Sequence, residues 1–361
     1  MAQTVLADTL EVQRVALAVG AAMTALETQV LAALSLRPVS AAVALAEVGL
    51  LLQKMAHLRD ACVAAANAYA SCEADMPVQL NDLVGAVVPA LAAVAVQQVS
   101  VFPGFGRAAV SSRAIGQFNQ VAPANLQAIM ARLESTEQPQ ARLRIEQVDT
   151  EIGGREFVVY VPGTRQMSFV PTNNPFNLTN AVTAVGSVGK AASERSVSLA
   201  MQQAGIGSRS GDTVTLVGYS QGATIAANIA SRPQSFKVRG LVSIAGPISA
   251  RPLPTSLKVA ALENTTDPVP WLDGSANPAQ QNQITAHIRT PPGFDGHDLD
   301  GYALDAKRIE SGSELNGKQL DSGKIAFAGF NRELQEILKP IASRPVKGSW
   351  YELTQNPWSV R

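Results

Sequence analysis

The stretch Gly218-Tyr219-Ser220-Gln221-Gly222 constrains this chain more than any other, because of what stands on either side of it. Val214-Thr215-Leu216-Val217 runs into it as a short apolar segment of the kind that forms a buried strand, and Ala223-Thr224-Ile225-Ala226-Ala227 leaves it as an alanine-rich helix. The pattern is G-x-S-x-G set at a strand-to-helix turn. In such a turn the serine backbone is strained, and the flanking positions must lack side chains that would strike the strand or helix passing beside them. The turn needs a sheet whose strands end together on one side.

The sequence downstream of residue 141 supplies one. Leu143 to Val148 alternates in polarity, Gly153-Gly154 turns the chain, and Arg155 to Val161 is β-rich, so a hairpin is expected there. Further apolar runs follow at Thr213–Val217, Val238–Ile244, Lys258–Leu262 and Gln283–Ile288, separated by helical patterns or loops. Phe330 to Lys339 reads as a closing helix ended by Pro340. Strands of this kind spaced by helices predict an α/β domain over residues 141–345, doubly wound around a mostly parallel sheet covered on both faces. Residues 346–361 are expected to be a C-terminal tail.

A serine hydroxyl is a poor nucleophile at neutral pH and needs a base. The chain has three histidines. His57 falls on an N-terminal helix beside Arg59 and Asp60, and His287 falls inside an expected strand, so both read as structural. His297 stands in the polar loop Gly293-Phe294-Asp295-Gly296-His297-Asp298, beyond the last strand of the series, where a side chain can reach over the carboxyl ends of the sheet. The acid that orients such a base is expected after a strand lying between serine and histidine. The loop Glu263-Asn264-Thr265-Thr266-Asp267-Pro268 offers Asp267 first, held by the stiff Pro268, with Glu263 and then Asp273 behind it. Asp295 and Asp298 lie too close to His297 in sequence to approach it from the far side. Two backbone N–H groups are needed for a developing oxyanion. Gln221 provides one, and the turn Pro162-Gly163-Thr164-Arg165 the other, from Thr164 ahead of Gly163 or Arg165.

The Gly-Tyr-Ser-Gln-Gly turn, the acid loop Thr266-Asp267-Pro268-Val269-Pro270 and the base loop Gly296-His297-Asp298 together resemble cutinase-like and lipase-like actinobacterial hydrolases of the α/β-hydrolase superfamily. That resemblance implies an α/β-hydrolase fold and a serine esterase acting on an ester-containing small molecule or lipid, without a cofactor. A thioesterase or amidase would use the same groups.

Upstream, apolar residues recur in steps of three and four from Val12 to Leu34 and again from Leu45 to Tyr69, with Pro38 and the N-cap Ser40 between. Residues 1–75 are therefore expected to form an all-α helical hairpin, and residues 76–140, rich in alanine and valine, a mainly helical connection. The uncharged run from Leu83 to Phe102 reads as a buried or partner-facing helix. Tyr69 and Glu73 stand four apart at the end of the second helix, which resembles the Tyr-x-x-x-Asp/Glu signal of type VII secretion substrates. The opening Met-Ala-Gln-Thr-Val-Leu-Ala-Asp has no basic segment of a conventional signal peptide. The resemblance implies a secreted or cell-surface protein exported by a signal-peptide-independent route, with secretion machinery or a helical-hairpin protein as partner. Without that signal the hairpin is a lid or dimerisation element and the chain cytoplasmic, and a non-catalytic interaction protein is the reading from a different class.

Charge excludes other classes. Lysine plus arginine equals aspartate plus glutamate at 29 each, so no net field draws the molecule to nucleic acid. The two cysteines, Cys62 and Cys72, are ten residues apart on one expected helix, about 15 Å along its axis, too far to pair. No metal-ligand spacing stands out.

Overall fold

A computed structural model describes residues 108–149, 154–167, 172–185, 190–265, 296–310 and 320–360, together with most of 267–288. The expected hairpin over 1–75, Tyr69, Glu73, both cysteines and the run 83–102 lie outside the described residues. Among the described residues, no helix is long and apolar enough to cross a membrane.

Eight strands form one mixed sheet among the described residues: β1 (Ala108–Val121), β2 (Arg142–Asp149), β3 (Arg155–Val161), β4 (Thr213–Tyr219), β5 (Lys237–Ile244), β6 (Lys258–Asn264), β7 (Gln283–Ile288) and β8 (Pro345–Val360). Their order across the sheet is β1-β8-β2-β3-β4-β5-β6-β7. From β3 to β7 every neighbour is parallel, and β1, β8 and β2 form an antiparallel flank. The helices are α1 (Leu126–Thr136), α2 (Leu178–Val185), α3 (Ala192–Gln203), α4 (Gln221–Ala230), α5 (Leu299–Glu310) and α6 (Leu320–Leu338).

The continuous apolar runs of the parallel strands follow from burial on both faces. Phe157, Val159 and Val161 of β3 and Val214 and Leu216 of β4 join the core under α2, α3 and α4. The alternate residues Val158, Tyr160, Val217 and Tyr219 join a second core under α1, α5 and α6, with Leu133, Tyr302 and Leu334. Every residue of α4 is buried, and its small side chains let it lie close against β4.

The structure corrects two domain boundaries. Over its described part, the connection expected to be mainly helical is the strand β1 followed by α1, and residues 346–361, expected to be a tail, lie within strand β8 apart from Arg361, which is outside the described residues. The described α/β unit thus starts at Ala108 rather than at 141 and includes the chain's last strand. The cause is non-local pairing: β1 runs antiparallel to β8 from Ala108 to Val121, with Phe118 against Trp350 at 5.7 Å between ring centroids and an Arg113–Glu352 ion pair. Cross-strand contacts of this sort decide between strand and helix where local preference is weak.

Helix α1 is fixed at both ends. Asn125 Oδ1 caps it by accepting from Ala128 N at 2.9 Å. Arg132 Nε donates to the fully buried Glu146 of β2 at 2.9 Å, and Arg144 Nε donates to the same oxygen at 2.7 Å. The C-terminal end of α1 is thereby held beside the carboxyl end of β3.

Candidate active site

Ser220 is the residue between β4 and α4, and its backbone lies at φ 53°, ψ −121°. Non-glycine residues rarely occupy that region, and such strain costs of order 1–3 kcal/mol. The turn closes because its flanks are glycine. A Cβ on Gly218 would stand 2.4 Å from the Gly222 carbonyl carbon, and one on Gly222 would stand 2.2 Å from the Val161 oxygen. Ser220 N–H donates to Ile244 O at 2.9 Å, which pins the turn to the end of β5.

Ser220 follows β4, Asp267 follows β6 and His297 precedes α5, and the three side chains meet in one place. His297 Nε2 lies 2.9 Å from Ser220 Oγ, and His297 Nδ1 lies 2.8 Å from Asp267 Oδ2. Asp267 is 1% exposed, Ser220 7%, and the His297 side chain 28%, so the acid is dry and the base is reached from solvent. The expected serine, acid and base are together. Glu263 is not part of the group: its carboxyl meets Asn277 Nδ2 and lies 3.7 Å from His287 Nδ1. Asp273 accepts from Ser249 Oγ at 2.7 Å and Ala250 N at 3.0 Å, and Asp298 accepts from Asp300 N at 3.3 Å at the start of α5. Asp295 and Pro268 lie outside the described residues.

The turn after β3 carries the second expected N–H donor. Gly163 N–H donates to Glu137 Oε1 at 3.1 Å and Arg165 N–H to Phe176 O at 2.7 Å, so both are committed elsewhere. Thr164 N–H and Gln221 N–H have no hydrogen-bond partner among the described residues. Thr164 Oγ1 donates to Gln221 Oε1 at 3.1 Å and Gln221 Nε2 donates to Ser193 Oγ at 3.2 Å, which fixes the two segments to each other.

Three supports of the group carry no signal in the sequence pattern. Tyr219 stacks on the His297 ring, with centroids 5.4 Å apart and planes 21° apart, and its hydroxyl donates to the His297 carbonyl. Burial, then the nearby Asp267 and Glu137 charges, hold its phenol above the ordinary range, so it stays a donor. Tyr302 of α5 donates to Asp267 Oδ2 at 2.8 Å and accepts from Asn264 N at 2.8 Å. Asn264 Nδ2 donates to Gly296 O at 3.1 Å, tying the histidine loop to the end of β6.

Burial pushes Glu263 up to about 8, with the charges of Asp273 and Asp267 adding to it. At neutral pH it is therefore protonated, and burial lowers His287, so their contact is not an ion pair. The folded state holds a proton that the unfolded chain, at the ordinary 4.5, gives up; stability therefore falls as pH rises from that value toward about 8. Glu263→Gln cannot ionise and is expected to raise the melting temperature by about 3 °C or more at pH 8–9, with little change at pH 5. Thermal unfolding at the two pH values checks this, and an equal increment at both contradicts it.

No known protein family, no curated protein and no solved structure matches this chain.

Proposed function

We propose that the chain is a serine hydrolase of the α/β-hydrolase type that cleaves carboxylic esters through an acyl-enzyme. The observation that carries the reading is the unbroken line from Ser220 Oγ through His297 to Asp267, at 2.9 Å and 2.8 Å, with the serine held at positive φ. A structural serine has no need of either the strain or the base.

In this reading His297 Nε2 takes the Ser220 proton as Oγ bonds to the ester carbonyl carbon. The carbonyl π electrons move to oxygen, and the resulting oxyanion is met by the N–H groups of Gln221 and Thr164. Gln221 opens α4, so the helix N-terminus adds positive potential there. The tetrahedral carbon collapses, the C–O bond to the alcohol breaks, and the imidazolium gives its proton to the departing oxygen. Water then repeats the sequence on the acyl-enzyme, with His297 again the base, releasing the acid and restoring Ser220. Asp267 keeps the Nδ1–H tautomer and steadies the imidazolium without itself taking a proton.

Tyr302 tunes that acid. Tyr302→Phe removes the hydroxyl that donates to Asp267 Oδ2 and accepts from Asn264 N–H, so the less stabilised carboxylate holds the imidazolium more strongly. The acid limb of the kcat/KM profile is expected to move to higher pH, with maximal turnover down about tenfold. A pH profile superimposable on that of the unaltered protein contradicts this role.

Hydrolysis of p-nitrophenyl esters from acetate to palmitate, set beside matched thioesters and anilides, tests the substrate class. Faster turnover of esters is expected. Preference for the thioester or anilide moves the reading to a thioesterase or amidase, and no turnover of any of them contradicts it.

Export by a signal-peptide-independent route is proposed with it, on Tyr69 and Glu73 and the hairpin periodicity of residues 1–75. Its test is whether the chain, with Tyr69→Ala as control, reaches the medium of an expressing actinobacterium.

A further inference from the structure

Glu137 stands at the C-terminal end of α1, in a stretch the sequence pattern set outside the α/β domain, yet its side chain ends against the turn after β3. Its two carboxylate oxygens have different partners. Oε1 accepts from Gly163 N–H at 3.1 Å, and Oε2 pairs with Arg165 Nη2 at 2.6 Å. The guanidinium turns back on its own segment, where Nε donates to Thr164 O at 3.2 Å. The peptide groups on either side of the Gly163–Thr164 peptide, which carries the Thr164 N–H, are thus both held: Pro162–Gly163 by Glu137 directly and Thr164–Arg165 through Arg165. Both side chains are mostly buried, at 16% and 19% exposed, so water competes weakly for these bonds.

We infer that Glu137, acting with Arg165, is the positioning element of the oxyanion site: it fixes the direction of the Thr164 N–H. The inference rests on the serine hydrolase reading. Of the three amides in the turn, Gly163 and Arg165 are committed and Thr164 is not, so the bonds Glu137 makes also select which amide faces the reacting carbonyl. A carboxylate so near a developing negative charge opposes it unless neutralised, and Arg165 supplies that neutralisation. Glu137 touches no substrate atom in this account; it works through the turn.

Three single variants and one double variant separate this from a purely structural role. Removing an oxyanion donor outright costs about a hundredfold to a thousandfold in turnover, so loosening one is expected to cost about tenfold or more. Glu137→Ala is expected to lower kcat by that amount with KM within about twofold, since the donor acts on the transition state rather than on the bound ester. Glu137→Gln keeps one acceptor and loses the charge, so its kcat falls between the two, at least about threefold below the unaltered protein. Arg165→Ala leaves the buried carboxylate unpaired and is the worst of the single changes. The double change Glu137→Ala with Arg165→Ala recovers activity above Arg165→Ala alone.

The measurements are steady-state hydrolysis of a p-nitrophenyl ester and the second-order rate of fluorophosphonate labelling, whose phosphonyl oxygen occupies the same site. The inference predicts that labelling slows by the same factor as kcat. Wild-type kcat and labelling rate in Glu137→Gln, or an Arg165→Ala defect that the second substitution deepens, overturns it. Should Glu137→Ala not fold, the Gln variant and the Arg165 pair still decide. If the unaltered protein neither labels nor turns over ester, the hydrolase reading has failed; if it does both and the variants match it, only the role of Glu137 has failed.

Discussion

Ser220→Ala is expected to reduce ester turnover by at least about a thousandfold while the protein stays folded. The change deletes one oxygen from a side chain with one polar partner, His297 Nε2, and leaves the turn's backbone bonds to Ile244, Ala223 and Thr224 intact. What survives is the rate given by binding and the two N–H donors alone. Alanine must still adopt φ 53°, so it brings no relief of strain, whereas glycine tolerates that region. Ser220→Gly is therefore as inactive as Ser220→Ala but more stable by about 1 kcal/mol. Turnover and thermal unfolding on the two variants read both halves of the expectation; activity within tenfold of the unaltered protein in either variant contradicts it.

Asp267→Asn carries the second large effect, a loss of about ten-thousandfold in kcat with little change in fold. The hydrogen bonds around the carboxylate dictate how the amide must sit. Val269 N–H donates to Oδ1 at 2.9 Å and cannot reverse, whereas the Tyr302 hydroxyl on Oδ2 can rotate to accept, so the Oδ1 position keeps an acceptor and the amide nitrogen takes the place of Oδ2. An NH2 group there faces His297 Nδ1, which can answer it only as an acceptor. The imidazole proton then sits on Nε2, toward Ser220, and the base can no longer take the serine proton. Loss should ease at high pH if hydroxide deprotonates the serine instead, so the kcat profile of Asp267→Asn is expected to keep rising where that of the unaltered protein levels off. A loss below about a hundredfold contradicts the role given to Asp267.

The three residues of the proposed triad were legible in the sequence as a group because each sits in a loop directly after or beyond a recognisable strand, and strand runs buried on both faces are continuous and apolar. Val214 to Val217 leads to Ser220, Lys258 to Leu262 leads to Asp267, and Gln283 to Ile288 precedes His297. The supports were not legible. Tyr302 looks like one aromatic in a polar helix, Tyr219 occupies an unspecified place in the G-x-S-x-G pattern, and Glu137 ends a helix with no local sign of a partner 26 residues away. Their roles exist only in the folded arrangement. The same holds for the sheet's antiparallel flank: β1 is mostly exposed and rich in small residues, and its strand state comes from β8, more than two hundred residues later. Local pattern contains no trace of a pairing that distant.

The direct test of the central claim is to expose the folded protein to a fluorophosphonate and weigh it intact, then map the adduct. One equivalent bound at Ser220, absent in Ser220→Ala and strongly slowed in His297→Ala, is the result expected of a serine made nucleophilic by His297. Folded protein that gains no mass, or an adduct mapped to another residue with Ser220→Ala labelled equally, contradicts it.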